Sequence, residues 1–194
     1  LIDEYRGRYD YDCIVPFSGG KDSTFTLYEL VTRYRVKPLV VSFDHGFMRP
    51  TLLANTERTI KKLGVDYLEF SPNPQVRSKL NRIGLNQVGD ISWPEHVGIF
   101  TIPVRAAVQF SVPLLVWGEN AQNEYGGPAA AADNNIMDRR WLEEFGGLLG
   151  LRVTDLIGIE GLAAKDLIPY TYPTDEDLKR VGVTCLFLGH YLPW

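Results

Sequence analysis

"YDCIVPFSGGKDSTFTLYEL", residues 11–30, decides the fold. Residues 11–17 form a β-like apolar run that stops at Ser18-Gly19-Gly20, and from residue 22 to 34 Phe25, Leu27, Tyr28, Leu30 and Val31 supply the apolar positions of a helix. A strand that passes through two glycines straight into a helix is the opening of a parallel α/β unit.

The same rhythm continues along the chain. "KPLVVSFD" (37–44) reads as a second strand, and "TLLANTERTIKKLG" (51–64) as a helix with Leu52, Leu53, Thr56, Ile60 and Leu63 on one face and Gly64 as its stop. "VDYLEF" (65–70) is a third strand. Helical stretches follow at 75–84 and 95–110, then strands "VPLLVWG" (112–118) and "TCLFLG" (184–189). Near-continuous apolar strands alternating with helices predict a three-layer α/β fold, with a parallel sheet covered on both faces. Residues 119–183 break the rhythm and read as an elaboration between the fourth and fifth strands, so residues 1–194 form a single domain.

Open parallel sheets bind ligands beyond the carboxyl ends of their strands. Those ends carry Ser18, Asp44 with His45, Ser71, Glu119 with Asn120, and His190. At the first end, Gly19 and Gly20 let the backbone approach a ligand, and the helix start offers free N–H groups. Ser18, Ser23 and Lys21 add hydroxyls and a cation, a set that suits a di- or triphosphate. Asp22 would repel a bare phosphate and makes sense with Mg²⁺ between them. The stretch is neither G-x-x-x-x-G-K-[ST] nor G-x-G-x-x-G.

The 194 residues suffice for a real core, and 45% apolar with 23% charged residues is ordinary for a globular chain. A net charge of −4 argues against a nucleic-acid partner. The short basic spots, Arg77-Lys79-Arg82 and Arg139-Arg140, read as solvated helix faces. No apolar run reaches the length of a membrane span. The two cysteines, Cys13 and Cys185, form no metal or dithiol motif, and a reducing cytoplasm is the simplest setting. The chain starts at Leu1 without a methionine or a leader, and reads as a piece of a longer polypeptide.

"SGGKDS" (18–23) resembles the signature loop of the N-type ATP pyrophosphatases, the PP-loop enzymes. That resemblance implies an adenine-nucleotide α-hydrolase-like (HUP, Rossmann-like) fold with ATP and Mg²⁺ as cofactors. It also implies that Ser18, Gly19, Gly20, Lys21, Asp22 and Ser23 bind pyrophosphate. Lys21 and Asp22 are then catalytic, with Asp22 on the metal. Asp44 and Gly118 join the nucleotide site. From about residue 10 onward the chain is similar to the N-acetyl sugar amidotransferases of surface-polysaccharide (lipopolysaccharide O-antigen) and nonulosonic-acid pathways. The similarity is carried by "LGVDYLEFSPNP", "WPEHVGIFTIPVRAAVQFSVPLLVWGEN", "EYGGPA", "DRRWLEEFGGLLGL", "KDLIPYTYP" and "RVGVTCLFLGHYLPW". It implies a ligase that adenylylates the acetamido oxygen of a nucleotide-linked N-acetyl sugar and replaces it with ammonia from a glutaminase partner.

Arg105, Glu119, Asn120 and Glu124 are the substrate-side candidates, and Arg105 serves a structural ion pair equally well. His96 is an acid–base candidate or a satisfied helix-start residue. Trp93, Trp117 and Trp141 read as core, and the oligomeric state stays open, a homo-oligomer included. A tRNA-thiolating PP-loop enzyme, a non-catalytic nucleotide-binding module and a structural subunit are the competing readings.

Overall fold

The computed structural model describes residues 1–118 and 148–192. Five parallel strands form one sheet in the order β3-β2-β1-β4-β5. They are β1 (Cys13–Pro16), β2 (Pro38–Phe43), β3 (Asp66–Phe70), β4 (Leu114–Trp117) and β5 (Thr184–Phe187). The helices are α1 (Ile2–Tyr5), α2 (Lys21–Thr32), α3 (Pro50–Leu63), α4 (Pro74–Val88), α5 (Trp93–Gln109) and α6 (Asp175–Val181). This is the three-layer, Rossmann-like α/β architecture that the strand–helix rhythm predicts. Strand order reverses between β1 and β4, so the switch-point crevice lies at the end of β1.

β1, β2, β4 and β5 are largely apolar because both of their faces are covered, whereas the edge strand β3 is half-exposed. Ile14, Leu39, Val41, Phe43, Leu115 and Trp117 point to one face and pack under α4, α5 and the 148–172 segment. Cys13, Val15, Phe17, Val40, Leu114 and Val116 point to the other face, against Leu27 and Leu30 of α2. β1 starts at Cys13 rather than Tyr11, because the Asp12 carboxylate turns aside to accept from Gly7 N (2.6 Å) and Lys37 N (2.8 Å).

Helix faces differ from the sequence expectation on two helices. Phe25 and Tyr28 are exposed on α2, where Ser23, Thr26, Leu27 and Leu30 form the buried stripe. On α3, Thr56 is buried on the expected face, but Leu53 points outward. The 119–183 elaboration, where described, consists of 3₁₀ turns at Val153–Leu156, Ile159–Gly161 and Ala164–Tyr170, followed by α6. Trp93, fully buried, ties this segment to α5 by donating Nε1–H to the Leu148 carbonyl at 2.9 Å. Among the described residues, no helix is long and apolar enough to cross a membrane.

Candidate functional site

The turn between β1 and α2 is built by its own side chains. Gly19 adopts φ +76°, and Gly20 is the extended N-cap residue with no side-chain cap, which leaves the first N–H groups of a twelve-residue helix pointing outward. Ser23 Oγ lies 3.3 Å from the Ser18 amide, 3.2 Å from Ser18 Oγ and 3.3 Å from the Gly20 carbonyl. The loop is therefore braced from inside by one buried hydroxyl. Lys21 Nζ sits 2.8 Å from Asp22 Oδ1, with the lysine 87% exposed and the aspartate 22%. An ion pair this exposed on the lysine side contributes little to folding.

An apolar cleft opens beside this turn, at the carboxyl ends of β1, β2 and β4. Phe17, Val41, Phe43, Ile99 and Pro103 make its floor, with Trp117 at one side. Pro103 has no N–H to give the Ile99 carbonyl, which leaves a break in the α5 ladder at the cleft wall. The rim is Ser18, Ser23, His45, Met48 and Gly118. An apolar floor meeting a rim of hydroxyls and helix N–H groups can take a ligand that is apolar at one end and anionic at the other.

The sequence candidates are distributed unevenly about this cleft. Ser18, Ser23 and Gly118 line it. Gly19, Gly20, Lys21 and Asp22 form the turn beside it. Asp44 stands one residue behind the wall. Its Oδ1 accepts from Gly46 N at 2.7 Å and its Oδ2 from the Ser71 hydroxyl at 2.9 Å, so it ties the ends of β2 and β3 together. His45 reaches the cleft instead, with Nδ1 accepting from Phe47 N at 3.1 Å. In a neutral ring that leaves the proton on Nε2.

Arg105 is half-buried on α5 and donates to the Thr171 carbonyl at 3.0 Å. Burial holds its pKa below the ordinary arginine value. His96 Nδ1 lies 2.9 Å from Asp90 Oδ2, beside the start of α5. Trp93 and Trp117 are core, as expected. Glu119, Asn120, Glu124, Arg139, Arg140 and Trp141 lie outside the described residues.

One basic spot departs from the solvated-face expectation. Lys79 donates to the Glu160 carbonyl at 2.7 Å, and Arg82 pairs with the Glu160 carboxylate at 2.5 Å. Arg77 is mostly buried against Glu95. Among the described residues, no three His, Cys, Asp or Glu side chains gather as a metal site. Asp22 alone fits a magnesium ion that keeps most of its ligands from phosphates and water, the usual way Mg²⁺ is held at nucleotides.

Compared with known proteins, the chain matches no family model. It is 36% identical over 58 residues to an uncharacterized protein of Methanocaldococcus jannaschii. That match covers 30% of this chain and 21% of the archaeal protein, so it spans about a fifth of the relative's length.

Proposed function

We propose that the chain carries the ATP-cleaving domain of an amidotransferase that converts the acetamido group of a nucleotide-linked N-acetyl sugar to an acetamidino group. The observation that carries the nucleotide part is the strand–SGGKDS–helix turn opening onto an apolar cleft at the switch point of the sheet. The sugar and the ammonia rest on the sequence resemblance.

In this reading the apolar floor takes the adenine, and the first N–H groups of α2 with Lys21 hold the β- and γ-phosphates. Asp22 would hold Mg²⁺, which supplies charge neutralisation and alignment of the phosphates. The acetamido oxygen attacks the α-phosphorus, and the bond to the bridging oxygen of the β-phosphate breaks. Lys21 and the helix N–H groups stabilise the charge that gathers on the departing pyrophosphate. Ammonia, supplied by a glutaminase partner, then adds to the activated carbon. AMP leaves with the former amide oxygen, and loss of a proton from nitrogen gives the amidine.

The tRNA-thiolation alternative is less well supported. Cys13 and Cys185 are the chain's only cysteines, and both are buried within strands. The decisive assay supplies Mg²⁺, ATP, ammonium and a panel of nucleotide-linked N-acetyl sugars, with products read by mass spectrometry. AMP, pyrophosphate and a sugar with one oxygen exchanged for NH are expected. Formation of ADP would overturn the pyrophosphatase reading.

A further inference from the structure

The outer wall of the cleft is the 44–48 loop, and its shape depends on a residue outside the loop. Arg77, on α4, donates Nη1–H to the His45 carbonyl at 2.7 Å. Its guanidinium lies 5.2 Å from the centre of the Phe47 ring, which is itself stacked on His45 at 6.0 Å. Gly46, at φ +73°, passes so close that a Cβ there would fall on the guanidinium. The loop is thus moulded over one planar cation.

That cation is itself held from below. Arg77 Nε lies 3.8 Å from Oε1 of Glu95, whose side chain is 7% exposed. Glu95 Oε2 accepts from Asn81 Nδ2 at 2.8 Å, and Oε1 has no hydrogen bond of its own. Tyr170, which meets the cleft residue Phe43 edge-on at 6.3 Å, stands in the field of both charges. A buried ion pair of this kind adds little net stability over an apolar pair. What it does supply is a fork of fixed direction, which a lysine point charge would not reproduce.

We infer that Arg77, seated on Glu95, is a positioning residue that holds the 44–48 loop, and with it His45 and Met48, as the wall of the nucleotide cleft. The inference rests on the nucleotide reading above for what the wall contacts. It makes Arg77→Lys and Glu95→Gln act on binding through the loop, without either side chain touching the ligand.

The test compares wild type, Arg77→Lys, Glu95→Gln and Leu80→Ala, the last a core truncation on the same helix that leaves the loop contacts in place. Three readouts are taken: chymotryptic cleavage after Phe47, which is 67% exposed, affinity for Mg·ATP by calorimetry, and the thermal midpoint. Both loop variants should be nicked about tenfold faster and bind Mg·ATP about tenfold more weakly, while Leu80→Ala loses stability without either change. Equal Mg·ATP affinity in wild type and Arg77→Lys overturns the inference, as does faster nicking in Leu80→Ala that scales with its midpoint. A wild type that binds no Mg·ATP overturns the nucleotide reading instead, and the nicking rates then decide whether Arg77 holds the loop.

Discussion

Gly118, just past the end of β4, lies against Asp22 in the first turn of α2: a Cβ at position 118 would stand 2.9 Å from the Asp22 carbonyl oxygen and 2.8 Å from Thr26 Oγ1. Both atoms are held by the helix, one as backbone and one on a β-branched side chain with little rotamer freedom. Gly118→Ala therefore pushes α2 off the sheet at the turn that faces the cleft. A loss of about 1–3 kcal/mol in urea denaturation is expected, as for other overpacked sites. Weaker Mg·ATP binding should accompany it. Unchanged denaturation and binding would mean that β4 and α2 do not meet this closely.

Lys21 and Asp22 separate folding from chemistry. Their ion pair is solvent-facing on the lysine side. Lys21→Met and Asp22→Asn should each shift stability by no more than about 0.5 kcal/mol, the range for surface changes. Pyrophosphate release should fall about 100- to 1,000-fold in Lys21→Met, since one preorganised donor to a developing anion is worth that much. For Asp22→Asn the loss should be partly recovered by raising Mg²⁺. Thermal melts beside a pyrophosphate-release assay check both, and a Lys21→Met protein with full turnover would remove the lysine from the mechanism.

Asp44 gives a prediction that distinguishes direct contact from support. Both of its oxygens are engaged, with Gly46 N and with the Ser71 hydroxyl. If Asp44 acts by fixing the loop, Ser71→Ala and Asp44→Asn should weaken Mg·ATP binding by similar small factors. Each should also cost about 1 kcal/mol of stability for the lost hydrogen bond. Calorimetry on the two variants is the check. A loss confined to Asp44→Asn would place its carboxylate on the ligand itself.

The parallel sheet was legible because its strands are apolar on both faces, a pattern that a half-exposed strand such as β3 shows only weakly. The β1–α2 turn was legible because glycines, hydroxyls and a cation fall within six consecutive residues. Arg77 was not legible: its partner Glu95 is on the next helix, and the loop that it shapes lies about thirty residues upstream. A basic residue two positions from Lys79 looks like any solvated helix face until the helices are packed. Gly46 was the one local signal, a glycine directly after the polar strand end Asp44-His45. α6 carried readable signals too. Thr174 caps the amide of Asp177 at 3.1 Å, acids fill the first turn, Lys179 and Arg180 fill the last, and Gly182 closes the helix in the left-handed region. On their own they do not define an element, because the surrounding 119–183 segment has no strand rhythm to frame them.

The two thiols make the fold sensitive to alkali. Cys13 on β1 and Cys185 on β5 are fully buried, on opposite faces of the sheet. Burial pushes the Cys185 thiol from its ordinary value of 9.0 up to about 12, partly offset by the nearby Trp117 indole. Burial raises Cys13 as well, helped by the neighbouring Asp12 charge. Above pH 9 the unfolded chain gives up these protons while the folded chain keeps them, so the unfolded state binds fewer protons and is favoured. Stability should then be level below pH 9 and fall between pH 9 and 12, by up to about 1.4 kcal/mol per pH unit for each thiol. Tyr170, raised first by burial and then by the Glu95 charge, adds a loss of the same sign from pH 10 upward. Cys185→Ala should be less stable at neutral pH by about 1 kcal/mol, for the smaller side chain, yet show a shallower alkaline slope. Urea denaturation at pH 7, 9 and 10.5 measures both quantities. In the native state neither thiol should react with Ellman's reagent on the time scale at which the denatured chain reacts at both, and rapid native labelling would contradict the burial on which the slope depends.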